Sequence, residues 1–125
     1  MKTVKVSEAI GPVLDWMVAK TLGYTPLYEN FPAGMLVQPD GLLSHMCEIK
    51  FSSDWFQGGP IIDRIKGFEI KQWLSAKPGT CCEAHIHDYD GNWTQFGPTL
   101  LIAAMRCYVA SKLGDEVEVP EGLTQ

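Results

Sequence analysis

Apolar residues recur at helical spacing in two stretches of the chain. In the first, Ile10, Val13, Leu14, Met17 and Leu22 fall near one face, with Trp16 beside them and Asp15 and Lys20 on the wetter side. Ser7 suits an N-cap, Pro12 a first helical turn and Gly23 a C-terminal stop. This stretch predicts a helix that begins near Ser7 or restarts at Pro12. The second stretch runs from Thr99 to Leu113, after Gly97-Pro98 and before Gly114. Its first half, Leu100 to Met105, is apolar on every side, as in a helix covered by neighbours on most of its surface. Arg106 and Lys112 supply its few polar contacts.

Between the helices the period changes. Residues 24–46 hold Pro26, Pro32, Gly34, Pro39 and Gly41 and read as irregular chain, with one short strand around Met35 to Val37. Cys47 to Phe51 is a further strand candidate. Phe68 and Ile70 alternate with Glu69 and Lys71, a half-buried strand. Cys82, Ala84 and Ile86 alternate with Glu83, His85 and His87 in the same way. Asp90-Gly91 predicts a two-residue hairpin turn, returning through Trp93 to Phe96. The fold class expected is α+β: an antiparallel sheet of three to four strands packed against the two main helices. The acidic tail, about 115–125, is expected to fray.

Length and composition add limits. The 125 residues suit a single domain, 1–125, and 46% hydrophobic with 20% charged residues is ordinary for a globular chain. A net charge of −5 disfavours general nucleic-acid binding. The ten basic residues form no run, although a basic patch assembled in three dimensions stays open. Neither a signal peptide nor a membrane-spanning stretch is seen, so a cytoplasmic location is expected. Cys47, Cys81, Cys82 and Cys107 are then reduced thiols.

Four features are candidates for chemistry. Ser52 to Ile62, with Gly58-Gly59-Pro60 running into the apolar pair Ile61-Ile62, reads as a glycine loop entering a short helix or strand. Free backbone amides in such a loop can hold an anion. The commoner reading is a tight turn in which Gly58 or Gly59 takes positive φ and Trp55 packs on the core. His85-x-His87 places two imidazoles on one strand face, yet no second ligand pair of standard spacing follows, so no metal is assigned. Asp88-x-Asp90-Gly91 lacks the acidic residue that closes a calcium loop, and no cofactor is expected. Cys81 shares a strand face with His85 but lies about 13 Å away along the strand, too far for proton transfer; Cys107 reads as an inert core thiol. Arg106 interrupts a buried-looking helix and calls for a partner, Asp15 or Asp54, unless its head reaches water along a wet stripe.

The chain also resembles a known family. Ser7-Glu8 to Asp15-Trp16, the Ser53-Asp54-Trp55 and Gln57-Gly58-Gly59-Pro60 segment, and Gly97-Pro98-Thr99 with the helix to Gly114 are similar to the NinX-like family of small phage and prophage proteins. The likeness is strongest in the last helix and the Asp-Trp to Gly-Gly-Pro segment, and weak over 24–46 and 74–92. It implies a phage origin and the bacterial host cytoplasm, and no reaction.

The leading expectation is therefore a non-enzymatic phage accessory protein that binds a host or phage protein. Its surface would form around Asp54, Trp55, Gln57, Gly58, Gly59 and Arg106. The alternative is a small-ligand or nucleotide-related enzyme, with an anion held at Gly58-Gly59 and clamped by Arg106. A homodimer built on the Thr99–Leu113 helix is a third possibility.

Overall fold

The computed structural model describes residues 2–26, 35–73 and 81–123. Pro32 and Gly34, expected in irregular chain, lie outside the described residues.

The first predicted helix restarts where Pro12 allows it: after a short 3-10 turn over Val6–Glu8, α1 spans Gly11–Thr21 with Pro12 in its first turn. Gly23, at φ +89°, closes it and donates its N–H to Lys20 O. Seven consecutive residues of α1, from Val13 to Ala19, are buried. Asp15 is among them, so the expected wet side begins only at Lys20.

The second predicted helix, α3 (Leu100–Leu113), starts at Thr99, whose Oγ1 accepts the Ile102 N–H at 3.1 Å. Gly114, at φ +93°, ends it. The helix lies across an antiparallel meander of β5 (Phe68–Gln72), β6 (Cys82–Asp88) and β7 (Gly91–Gly97). Cys82, Ala84 and Ile86 point from β6 into the core, as their alternation predicts. On its other side α3 packs against α1. Sheet, α3 and α1 thus stack in that order, which explains why α3 is apolar all round. The apolar stretch on which a homodimer was expected, Leu101 to Cys107, is buried inside its own chain.

The fold is α+β with antiparallel sheets, and the tail adds one that the composition hid. Instead of fraying, β8 (Glu116–Val119) pairs with β1 (Lys2–Lys5) in the register Lys2↔Val119 to Lys5↔Glu116. The glutamates point outward while Val117 and Val119 are buried, and Leu123 follows them into the core. Counting acidic residues obscured this period-two pattern. A third small sheet joins β2 (Thr25–Pro26), β3 (Met35–Val37) and β4 (Leu43–His45).

Three local expectations change. Cys47 to Phe51 is no strand: Met46–Glu48 forms a 3-10 turn in which the His45 ring Nδ1 accepts the Cys47 N–H, and Met46, Ile49 and Phe51 are buried. The hairpin turn lies one residue earlier, at Tyr89-Asp90, because Asp88 Oδ1 accepts the N–H groups of both Asp90 and Gly91. Most consequentially, the glycine segment is a helix, α2 (Trp55–Asp63).

Candidate functional site

The Asp54–Pro60 segment folds as a helix because its cap and its packing outweigh its composition. Asp54 is the N-cap, accepting the Phe56 N–H at 3.0 Å. Gln57 clasps the preceding chain from two directions: its Oε1 accepts the Lys50 N–H at 2.8 Å, and its Nε2 donates to Glu48 O at 3.0 Å. Gly58 is required by contact. A Cβ there would lie 2.3 Å from Phe51 O and 2.8 Å from Leu101 Cδ1, so only glycine lets α2 sit this close to α3. Pro60 forfeits one helical bond, to the carbonyl of exposed Phe56, where water is an alternative partner.

This geometry overturns both readings of the glycines. Neither Gly58 nor Gly59 takes positive φ, and the Gly58 N–H donates to Asp54 O at 2.9 Å. No glycine loop with free amides exists to hold an anion. Trp55 does not pack on the core either: it is 51% exposed, and Phe56 beside it 88%. Around Gly59 the space is open. The first turn of α2 therefore presents two large aromatic rings to solvent from a clamped base.

Arg106 stands apart from this surface. It is 7% exposed. Its Nε donates to Ala9 O at 2.8 Å and its Nη1 to Phe96 O at 2.7 Å, tying the entrance of α1 to the end of β7. Desolvation lowers its pKa from the usual guanidinium value. Neither expected carboxylate meets it. Asp54 is occupied as a cap, and Asp15, 4% exposed, accepts the Ser52 N–H at 2.8 Å and the Ser52 hydroxyl at 2.7 Å. Burial pushes the Asp15 carboxyl up, outweighing the Ser52 hydrogen bonds that pull it down. Backbone carbonyls can satisfy a guanidinium as a carboxylate can, and sequence gives no sign of them.

The remaining candidates resolve as side-chain pairs. His85 contacts Glu83 on its own strand and Thr94 Oγ1 on the next, at 2.8 Å for the latter. His87 pairs with Asn92. Among the described residues no three metal-ligating side chains gather. Cys81 Sγ approaches Pro98 O at 3.3 Å and Cys82 Sγ at 3.8 Å, so its neighbours are not those of His85. The Cys107 thiol, buried against Trp93 O at 3.4 Å, is pushed up to about 12 by desolvation and stays protonated.

A concavity opens elsewhere. A cleft of about 700 Å³ lies where the C-terminal ends of α2 and α3 meet the β6–β7 hairpin. Leu22, Ile61, Ile65 and Ile86 give it an apolar lining. Arg64, Lys66 and Lys112 stand around it with Tyr89 and Tyr108. None of the residues expected at the functional site lines it. Scattered basic residues give no sequence signal, and only the fold brings these three together.

One comparison gives the lineage. The family described as "Bacteriophage P22, NinX" matches residues 5–112. The chain belongs to that family. The match runs from the end of β1 to Lys112 and so includes both the exposed turn of α2 and the cleft. It makes the protein phage-associated and assigns no reaction. No curated relative matches the chain.

Proposed function

We propose that this phage-family protein acts by binding rather than by catalysis, docking a host or phage protein through the first turn of α2. One observation carries the reading: Trp55 and Phe56 are adjacent, large, apolar and exposed on an element that is otherwise fixed. Tryptophan is among the residues most enriched where binding energy concentrates in protein interfaces. Rigidity matters as much as area. The Asp54 cap, the Gln57 clasp and the close Gly58–Leu101 approach hold α2 before any partner arrives, so little ordering entropy is lost on association. The partner's complementary feature is an apolar groove able to take two rings side by side.

The test is capture from infected cells with the wild-type chain and a Trp55→Ala/Phe56→Ala variant. The reading expects one protein retained by the wild type and lost by the variant, with the variant's melting temperature unchanged. Equal retention by both, or none by the wild type, overturns it.

A further inference from the structure

Independently of the α2 surface, we infer that the cleft between the helix ends and the β6–β7 hairpin binds a small organic phosphate with a flat apolar body, such as a nucleoside monophosphate. The volume of about 700 Å³ falls within the range of small-molecule sites, roughly 300–1,000 Å³. Its walls divide by chemistry. Ile61 and Ile86 are buried and form an apolar floor; half-buried Tyr108 and fully exposed Tyr89 also line the space and supply the aromatic surface on which a flat heterocycle would stack. Arg64, Lys66 and Lys112 surround the same space, and none forms an ion pair among the described residues. The Ser111 hydroxyl, also lining the cleft, donates to Tyr108 O at 2.7 Å and keeps lone pairs for a ligand donor.

Charge decides the ligand's sign. Asp88 is the one carboxylate of the lining, and its Oδ1 already accepts two hairpin N–H groups. Arg64 caps the end of α2 and Lys112 lies in the last turn of α3, where a cation complements the helix terminus. Each terminus offsets roughly half a charge. Three full cations therefore outweigh Asp88 and both helix ends together, leaving a positive cleft on a chain of net charge −5. Lys66 has no helix end to serve. The acidic remainder of the surface favours a small anion over a polyanion.

The wall also keeps its shape. Gly67, at φ +71°, accepts the His87 N–H on its carbonyl oxygen at 2.9 Å, and a Cβ there would lie 1.9 Å from His87 O. The loop carrying Arg64 and Lys66 is thus held against the hairpin by a contact only glycine permits.

The experiment is titration of the full chain with adenosine 5′-monophosphate, followed by calorimetry and by amide chemical shifts. Adenosine, inorganic phosphate and a single-stranded oligonucleotide are the comparison probes. Saturable binding is expected, with shifts at Gly67, His87 and Ser111, and with adenosine or phosphate alone weaker. A Lys66→Glu/Lys112→Glu variant is expected to bind at least about tenfold more weakly, since two charge-assisted contacts are replaced by repulsion. A Trp55→Ala/Phe56→Ala variant is expected to bind like the wild type, which separates this result from the fate of the α2 proposal. If the double lysine variant melts early, sodium chloride replaces it: affinity of the wild type must fall as salt rises. Lack of binding at millimolar monophosphate, affinity insensitive to the lysines or to salt, or binding of the oligonucleotide alone overturns the inference.

Discussion

Arg106 and Trp55 occupy opposite places from those usual for their residue types. The arginine is buried and the tryptophan half exposed. Both interrupt the pattern around them, and sequence alone joined them into one site. The structure separates them by what satisfies each. Arg106 has two backbone carbonyls within its own chain, so its charge is an architectural element joining α1's entrance to β7. Trp55 keeps about half of its surface in water and Phe56 most of its own. A buried polar group that is fully partnered explains itself by the fold; exposed aromatic area on a rigid base asks for something outside it.

The sharpest way to break that contrast is Arg106→Ala. Removing the guanidinium strips Ala9 O and Phe96 O of a charged donor and leaves a void, for an expected loss of about 3 kcal/mol in denaturant unfolding. A loss under about 1 kcal/mol would make Arg106 dispensable to the fold and return it to the list of functional residues. Next comes Gly58→Ala. The added methyl meets the Phe51 backbone, which cannot swing aside, and about 2 kcal/mol should be lost, whereas Gly59→Ala meets nothing within 4 Å and should be neutral or slightly stabilising through helix propensity. Equal effects at the two glycines would refute the close approach of α2 to α3.

Asp15 gives a smaller effect, readable through pH. Burial raises its folded pKa above the ordinary 3.8, so the native state holds this proton more tightly than the unfolded chain does. Stability contributed by the protonated carboxyl is present below pH 3.8 and is lost as pH rises through the folded pKa. Asp15→Asn keeps an oxygen for both Ser52 donors and cannot ionise. Unfolding measured from about pH 3 to neutrality should therefore show the variant gaining on the wild type as pH rises. A constant difference would mean that Asp15 titrates as a surface carboxylate does. The thiols offer the mildest check. Cys47 is exposed and should alkylate first in the native protein, and Cys107, with its thiol held near 12, only on unfolding.

Much of the fold was legible. The period of Cys82 to Ile86 identified a strand and its buried face, and Thr99 and Gly114 marked the limits of α3 because cap chemistry is local. The errors share a cause. α2 was hidden because Gly-Gly-Pro has poor helix propensity, and the contact that selects Gly58 comes from Phe51 and Leu101, residues that a local window does not connect. β8 was hidden because its partner, β1, lies more than a hundred residues away. The candidate site was half legible. Trp55 stood out as unusual, yet its exposure depended on the helix that composition concealed. The cleft was invisible, since Arg64, Lys66 and Lys112 meet only after three elements have packed.

Denaturant unfolding of the Trp55→Ala/Phe56→Ala variant tests the contrast at its base. If these rings serve a partner and not the core, the variant should unfold within about 0.5 kcal/mol of the wild type, as surface changes do. A loss of about 2 kcal/mol or more would show that the two aromatics hold the chain together, and the outward face of α2 would no longer stand as a binding surface.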